Sequence, residues 1–490
     1  MRRTRRLAWL LAPIAAAGAL VLPTTGSSAV ASPAGLRLVA SERHIDIDRF
    51  QGDTSLYLPS AVYVAPTGGS FELDAYVHRD GSVAIWQVRR DTAGVHRVRQ
   101  IAPAGPVSVA DGLPNFFRLT MRDSAGHVVS SATAPFCPGN GLLPARIDAG
   151  GPDRPTFPYY CGSSMTRATV WGIDRGWAVA PFLGLPDPGI ADGAYRVVVR
   201  ITNTYINQLH LDPARARVSL GATVTTPSGG ICGPGFPCAR GSHARMVARQ
   251  QRARAALTAG SWQPVGGTGL PDLAALPAHD LSILSDDSNH DFLAFGATIW
   301  NAGPGPLVVE GFRPGGAPEM NARQFVYRNG RPVASYAVGT FEFDTRVGHH
   351  HWHMEDVAQY DLLSADGSRL ILSDKQSFCL APTDPVDLTI AGAQWQPDRV
   401  GLVSACPTDD SIWLRETMPV GWGDTYVQSA GGQSFDITDL PNGRYQIRVT
   451  TNPFHHIHET TFADNSARQL IRLGGSNGQR TVEMLGTLEG

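Results

Sequence analysis

Residues 348–363 read GHHHWHMEDVAQYDLL, and this stretch carries the strand pattern from which the fold is inferred. In an extended strand, successive side chains point to opposite faces. His349, His351 and His353 would then project from one face, and His350 and Trp352 from the other. The segment therefore predicts a β-strand that presents three imidazoles on a single face.

Similar short runs, separated by Gly, Pro, Asp and Asn, extend in both directions from this strand. Towards the N-terminus they are SLYLPSAVYV (55–64), SFELDAYV (70–77), FFRLTM (116–121) and YRVVVRIT (195–202). Closer to the histidines and beyond them they are ATIWN (297–301), PLVVEGF (306–312), SFDIT (434–438) and RYQIRVTT (444–451). No alternation of strands with helices is present, which argues against a dinucleotide-binding fold. The pattern predicts an all-β protein.

The chain divides into five predicted segments. Residues 1–31 resemble a signal peptide, with a basic start, an apolar stretch and the small residues Ala29-Val30-Ala31. Residues 32–226 are predicted to form an N-terminal β-sandwich domain, which we interpret as a spacer or a carbohydrate- or wall-binding module. Residues 227–268 are interpreted as a linker with a short disulfide loop and an Arg-rich helix. A β-rich catalytic domain over 269–475 and a C-terminal tail over 476–490 complete the prediction.

The net charge and the predicted signal peptide limit the partners and the location that we expect for the protein. The formal net charge of -2 gives no field to hold a nucleic acid or an anionic membrane, so we expect neither as a partner. A cleaved signal peptide predicts a secreted protein that is extracellular or associated with the cell envelope. No later segment is long and apolar enough to predict a transmembrane span. Secretion by the general route and by the twin-arginine route are both compatible with the paired arginines.

The 6 cysteines fall into three sequential pairs, and export permits disulfides. Six cysteines allow fifteen pairings. We predict the sequential one, Cys137 with Cys161, Cys232 with Cys238, and Cys379 with Cys406.

The histidine strand predicts a metal site. Imidazole ligands alone favour copper or zinc over cations that prefer oxygen. The outer two Cα atoms of an ideal five-residue strand are about 13 Å apart, near the limit for sharing one ion. The strand must therefore twist or bulge to close the site. The nearby His455, His456 and His458 are interpreted as part of an exposed loop.

Four motifs follow the histidines in order: YDLL (360–363), DKQSFCL (374–380), GDTYVQ (423–428) and FDITD (435–439). This ordered set resembles the catalytic domain of the lysyl oxidase family over roughly residues 270–475. Lys375 is the single lysine among 41 basic residues, and it stands where the family forms its crosslinked cofactor. Arginine could not replace it there, because a guanidinium remains protonated and is not an amine nucleophile.

The resemblance implies copper at His349, His351 and His353, and a lysine tyrosylquinone made from Lys375 and Tyr426. It implies oxidation of a primary amine, which could be peptidyl lysine, to an aldehyde by O2, with release of H2O2 and ammonia. A cell-wall component or another protein could supply that amine. Asp424 is a candidate base, and a structural hydrogen-bonding role for it is an equal alternative. Gln359 stands where animal members carry a histidine, so no role of that histidine is transferred.

Two further hypotheses complete the sequence-based analysis. The alternative to an enzyme is a secreted, non-catalytic metal-binding β-protein of the cell envelope. A calcium site joining the two ends of the catalytic domain is also implied by the resemblance, because residues 459–465 are similar to a segment of the family and their carboxylate, amide and main-chain oxygens suit this ion. Its ligands would be Asp272, the Leu273 carbonyl, Glu459, Asp464 and Asn465. The alternative is a polar surface turn without an ion.

Overall fold

The structure is a computed structural model, and one compact unit spans Pro33–Gly490. The described residues are 34–49, 54–91, 93–139, 144–226, 269–314, 317–328, 331–345, 351–373, 377–409, 411–429 and 432–488. The predicted signal peptide, the predicted linker with Cys232 and Cys238, and the residues His349 and Lys375 lie outside the described residues. Within the described part of the chain, no helix has the length and apolar character required to cross a membrane.

The N-terminal region contains fifteen of the described strands and one short helix. The strands are β1 Gly35–Ala40, β2 His44–Asp48, β3 Ser55–Tyr57, β4 Val62–Thr67, β5 Phe71–Val77, β6 Val83–Asp91, β7 Gly94–Ile101, β8 Leu113–Arg122, β9 Val128–Phe136, β10 Pro144–Arg146, β11 Ala168–Ile173, β12 Trp177–Val179, β13 Gly184–Pro186, β14 Gly193–Ile201 and β15 Arg217–Thr225. The helix α1, Asn203–Leu209, lies between β14 and β15. The sheet orders are β1-β4-β12-β10, β11-β5-β6-β7, β13-β3 and β2-β15-β14-β8-β9.

Alternation of apolar and polar side chains explains these strands. In β1, for example, Leu36 and Leu38 are buried, whereas Arg37 and Val39 are only partly buried. Inward-facing residues from these sheets meet in one core that includes Phe71, Phe117 and Trp171. The predicted run 55–64 is divided into β3 and β4, because Pro59 lacks the amide hydrogen that a continuous strand would need.

The C-terminal region contains the other sixteen described strands and one 3-10 helix, Pro397–Val400. The strands are β16 Leu273–Ala275, β17 His279–Ser285, β18 Asp291–Asn301, β19 Leu307–Phe312, β20 Glu319–Arg328, β21 Arg331–Asp344, β22 His351–Met354, β23 Ala358–Ser364, β24 Arg369–Leu372, β25 Asp384–Pro385, β26 Trp413–Met418, β27 Trp422–Tyr426, β28 Ser434–Asp436, β29 Gly443–Thr451, β30 Ser466–Ser476 and β31 Gln479–Leu488. Their sheets have the orders β16-β18-β27-β25, with β17 and β28 also on β18, β22-β21-β20-β19-β26 and β24-β23-β29-β30-β31. The all-β prediction is confirmed.

Strand β18 organises the sheet that carries the tyrosine motif. It pairs with β27 so that Ala297 faces Tyr426 and Ile299 faces Asp424. Ala297 and Ile299 belong to the buried core of this region, and residues paired across a sheet share a face. Asp424 and Tyr426 therefore project towards the interior.

The segment 476–490, predicted as a tail, contains strand β31. It pairs with β30 through a tight turn that includes Asn477 and Gly478. Asn-Gly is a strong signal for a two-residue hairpin, because Gly adopts the left-handed backbone conformation, and Gly478 has φ of 73°. The hairpin extends the sheet of the C-terminal region beyond residue 475.

Candidate active site

The histidine strand is β22, the edge strand of its sheet, and it pairs with the end of β21. His353 is fully buried, and His351 is partly buried. The Nε2 atoms of the two rings lie 3.0 Å apart, so both side chains converge on one point. Trp352 points to the opposite face, where its indole N–H donates to the Thr408 carbonyl at 3.1 Å.

The two imidazoles fit a shared metal ion. Nitrogens bound to one ion at about 2.0–2.1 Å, as imidazole is to zinc, are about 3.0–3.4 Å apart when the angle between them is near 95–110°. The observed separation is within this range. Nδ1 of His353 lies 3.3 Å from Oδ2 of Asp344, which can hold the ring so that Nε2 is directed at the ion. His349, the third predicted ligand, is not among the described residues.

The segments that flank Lys375 lie against this strand. Met354 and Phe378 exchange two main-chain hydrogen bonds, of 2.7 and 2.9 Å. The hydroxyl of Ser377 lies 3.5 Å from Nδ1 of His353. On the other side, the Ser373 amide donates to the Tyr360 carbonyl at 3.0 Å. The chain on both sides of residues 374–376 is thus anchored beside the histidines and the YDLL strand.

Tyr426 meets the same segment from the opposite direction. Its hydroxyl donates to the Cys379 carbonyl and accepts from the Cys379 amide, both at 3.1 Å. Its ring packs edge-on against Phe378, with centroids 4.8 Å apart. Phe378 also contacts the ring of Tyr360, at 6.0 Å. Burial raises the pKa of Tyr426, and the negative charges of Asp424 and Glu416 raise it further.

Two buried acids adjoin Tyr426. Asp424 is 3% exposed, and it shares a face of β27 with the tyrosine. Glu416 on β26 is completely buried, and it accepts a hydrogen bond of 2.9 Å from the Leu380 amide. Burial raises the pKa of Glu416 well above its ordinary value, and the charge of Asp424 acts in the same direction. A buried carboxyl group whose pKa is raised by burial and by a neighbouring charge is a candidate for a functional role.

The disulfides in the described part of the chain are Cys137–Cys161 and Cys379–Cys406, as predicted. The Cys379–Cys406 disulfide links the segment that follows Lys375 to the loop before β26. Glu416 lies within 4.8 Å of both of its sulfurs, so these residues resemble a metal-binding group. Disulfide sulfurs are not thiolates, however, and the thiolate is the form that binds metal. We therefore assign no ion to this group.

The predicted calcium ligands are brought together at one corner of the catalytic region. Glu459 accepts hydrogen bonds from the Leu273 amide and from the side-chain amides of Asn452 and Asn465, at 2.6–2.7 Å. Oδ1 of Asn465 is buried without a hydrogen-bond partner among the described residues. Burial raises the pKa of Glu459 and of Asp464, and the nearby charge of Asp272 raises both further. A cation would relieve this repulsion and use the free amide oxygen.

Leu273 contacts this corner through its amide, and the predicted role of its carbonyl oxygen as a calcium ligand stays a prediction. The amide hydrogen of Leu273 contacts the Glu459 carboxylate. At the corresponding end of β16, the carbonyl of Asp464 accepts from the Ala275 amide at 3.1 Å. The two ends of the catalytic region are therefore joined directly by hydrogen bonds.

Three residues of the site were not predicted from the sequence. Asp344 ends the run FEFD on the strand that pairs with the histidines, and its position there was the available signal. Tyr360 was recognised only as part of a motif, yet it is fully buried and packs on Phe378. Glu416 stands in no recognised motif, and only the packing of β26 under the Leu380 amide identifies it.

Comparison with known proteins agrees with this geometry. The family model described as Lysyl oxidase matches residues 326–481. Lysyl oxidase homolog 4 of Mus musculus is 29% identical over 150 residues, which is 29% of this chain and 18% of that protein. Lysyl oxidase homolog 3B of Danio rerio is 28% identical over 141 residues, covering 27% of this chain and 16% of that protein.

Lysyl oxidase homolog 2 of Gallus gallus is 30% identical over 129 residues, covering 26% of this chain and 15% of that protein. The match therefore spans less than a fifth of the length of each of these curated relatives. The match to the family model, over residues 326–481, covers the histidine strand, the segments flanking Lys375 and the tyrosine strand. The predicted family resemblance is confirmed for this region.

Proposed function

Through residues 326–481 the chain belongs to the lysyl oxidase family, and we propose that it is a secreted, copper-dependent amine oxidase. One observation carries the proposal. The histidine strand and the hydroxyl of Tyr426 both hydrogen-bond to the main chain of Phe378 and Cys379, in the segment that follows Lys375. A protein that only bound metal would have no need for a partly buried tyrosine held against the lysine segment.

Copper and the quinone are the groups that the family implies, and the described residues fit them. His351 and His353 would bind the metal with His349, and Asp344 would orient His353. Lys375 and Tyr426 would form lysine tyrosylquinone, which accepts electrons from a primary amine and passes them to O2. The protein binds and orients these groups, and the burial of Phe378 and Tyr360 excludes water beside them.

Asp424 is our candidate for the base that removes a proton from the α-carbon of the amine. It shares the interior face of β27 with Tyr426, and it is almost fully buried. A general base must lie within hydrogen-bond reach of the proton that it removes. A substrate carbon bound at the Tyr426 ring would lie on the face that Asp424 occupies.

Secretion, and the signal peptide that would direct it, remain proposals alongside the activity. The two described disulfides fit an oxidising compartment, because cytosolic proteins rarely keep structural disulfides. The product aldehyde, H2O2 and ammonia would then be released outside the cytoplasm. A primary amine on a protein or on the cell wall would be within reach there.

The decisive experiment combines mass spectrometry with a substitution. Copper-loaded, aerated wild-type protein is expected to yield a crosslinked peptide that joins the segments around residues 375 and 426, and to oxidise a primary amine. Lys375→Arg should lose the crosslink and the activity while keeping the fold. A control that adds Arg331→Lys to Lys375→Arg restores one lysine per chain, and it should remain inactive.

His351→Ala should lose copper and the crosslink together, because both depend on the histidine face. Each arm can overturn a part of the proposal. Linear peptides alone in the wild type would reject the quinone, and copper binding without amine turnover would favour the non-catalytic envelope protein. Normal turnover by His351→Ala would reject the copper site.

A further inference from the structure

The N-terminal region contacts the C-terminal region along the chain that leads to Tyr426. The Arg167 amide donates to the Val386 carbonyl at 2.7 Å, and the Leu388 amide donates to the Ala168 carbonyl at 3.0 Å. The buried Thr166 hydroxyl donates to the Pro385 carbonyl at 2.7 Å. The start of β11 therefore binds residues 385–388 by main-chain hydrogen bonds, much as a neighbouring strand would.

The same residues support the tyrosine strand on their other side. Asp384 pairs with Gly423 and Pro385 with Trp422, and the amides of Val386 and Asp387 both donate to the Gly421 carbonyl. The Thr383 hydroxyl accepts from the Thr425 amide at 2.8 Å. Residues 383–388 thus lie between the N-terminal strand β11 and β27, which carries Asp424 and Tyr426.

Side-chain contacts hold the next part of this segment against the N-terminal region. We call this set of contacts, made by Arg90, Phe157, Trp395 and Gln396, the joint. The buried amide of Gln396 donates to the carbonyls of Pro155 and Phe157, at 2.9 and 2.6 Å. The Trp395 ring stacks on Phe157, with centroids 5.4 Å apart and planes 16° from parallel. The Trp422 indole, at the start of β27, donates to the Gln394 carbonyl at 2.6 Å.

Residues of the N-terminal region hold the joint from its other side. Arg90 lies over the Trp395 ring at 5.0 Å, and its guanidinium pairs with the buried Glu72. A Cβ on Gly172 would lie 2.3 Å from the Phe157 ring, so only glycine admits the ring at this point. Phe157 and Val170 are accordingly part of the core of the C-terminal region.

From this arrangement we propose that the N-terminal region positions the strand that carries Asp424 and Tyr426. The joint formed by Arg90, Phe157, Trp395 and Gln396 is a positioning element that sets β27, and with it Asp424 and Tyr426, against the segment around Cys379. This replaces the interpretation of the region as a spacer or wall-binding module. Its consequence for the cofactor rests on the proposed function, whereas its consequence for β27 does not.

The test uses the full-length, copper-free protein and hydrogen exchange of the main-chain amides of residues 420–426. Phe157→Ala should raise exchange in this segment about tenfold or more, because exchange reports local opening. Gln396→Met, which removes two hydrogen bonds and keeps the side-chain size, should raise it to a smaller extent. The control is Phe117→Ala, which opens a cavity in the N-terminal core away from the joint.

Exchange at 420–426 that is unchanged in both Phe157→Ala and Gln396→Met would overturn the proposal. So would an equal rise in Phe117→Ala, because the effect would then be one of overall stability. A second readout is the crosslinked fraction after copper loading. It should fall several-fold in Phe157→Ala, and Phe157→Leu should partly restore the yield.

The two proposals fail in different ways. If the wild type forms no crosslink, the proposed function is wrong, and the exchange experiment still decides the role of the joint. If the wild type is crosslinked and Phe157→Ala is crosslinked to the same extent, with unchanged exchange, only the positioning role is wrong.

Discussion

Two fully buried carboxylates of the C-terminal region, Asp361 and Glu416, have opposite surroundings. Arg448 and Arg369 bind the two oxygens of Asp361, each at a closest distance of 2.6 Å. Glu416 accepts a main-chain hydrogen bond, and the charges that act on it and on Tyr426 include the negative charge of Asp424. Asp361 is neutralised by cations, whereas Glu416 belongs to a group of like charges.

From this difference we infer that Asp361 has a structural role and that Glu416 belongs to the proposed active site. A buried ion pair holds elements together, and removing one partner leaves a buried charge uncompensated. Like-charged acids in a buried site destabilise the fold, and they are kept where chemistry needs them. Asp361 stands in the recognisable YDLL motif and Glu416 in no motif, so motif membership alone would not have pointed to Glu416.

The largest effect on stability is expected for Asp361→Asn. The loss of the carboxylate leaves Arg369 and Arg448 without their common partner, which should lower the free energy of unfolding by about 3 kcal/mol. This is the lower end of the usual range, because both arginines reach solvent. Urea unfolding measures the loss.

The matched control is Glu483→Gln, which removes the exposed ion pair with Arg472. It should change stability by less than about 1 kcal/mol. Turnover per folded molecule should be unaffected in both variants. A large loss of turnover per folded Asp361→Asn molecule would place Asp361 in the catalytic group and would abolish the contrast with Glu416.

The next largest effect is expected for Asp424→Asn, the conservative change at the candidate base. Loss of a general base typically costs about 100-fold or more in rate. We expect kcat per crosslinked molecule to fall by about 100-fold, with stability within about 1 kcal/mol of the wild type. The measurement is steady-state oxidation of a primary amine, normalised to the crosslinked peptide.

A different pattern would assign Asp424 differently. Normal turnover per crosslinked molecule, together with a reduced yield of crosslink, would give it a role in positioning or forming the cofactor. A loss of stability without either effect would make it a structural acid like Asp361.

Sequence patterns predicted the strands, the family and the shared face of His351 and His353, because these depend on local alternation and ordered motifs. They could not predict Glu416, because it acts through the Leu380 amide, 36 residues earlier in the chain. Asp344 could have been found from its position on the strand before the histidines, but this signal was not used. The joint at Phe157 was also beyond reach: Gln396 contacts carbonyls about 240 residues earlier in the chain. The Asn-Gly hairpin before β31 was readable but was not used, so the last strand was missed.

The acids Asp272, Glu459 and Asp464 can be compared with Asp361 and Glu416. Here a bound calcium ion would neutralise the acids, as the two arginines do for Asp361. If calcium binds, metal-free protein should gain about 2 kcal/mol of stability when free calcium is ~30-fold above Kd. Thermal unfolding in calcium, with magnesium as the control ion, measures the gain. Asp464→Ala should abolish it. Equal melting temperatures with and without calcium would remove the site and leave the copper and quinone proposals intact.

The smallest effect at pH 4.5, and the sharpest test of the contrast, is expected for Glu416→Gln. Burial and the charge of Asp424 raise the folded-state pKa of Glu416 above the unfolded value, so the folded state holds its proton more tightly. The resulting stabilisation is complete at pH values below about 4.5 and is lost as the pH rises through the folded-state pKa.

Glutamine is neutral at every pH and can still accept the hydrogen bond from the Leu380 amide. The variant should therefore not lose stability through this group as the pH rises. Wild-type stability should therefore differ from that of Glu416→Gln by less than about 1 kcal/mol at pH 4.5, and it should fall relative to the variant by about 1 kcal/mol for each pH unit above that until the folded-state pKa is passed. Urea unfolding of both proteins across this range measures the trend, with Glu483→Gln as the exposed control. A difference that is constant with pH, or a loss near 3 kcal/mol like that of Asp361→Asn, would show that Glu416 is a paired structural acid, and the contrast would be lost.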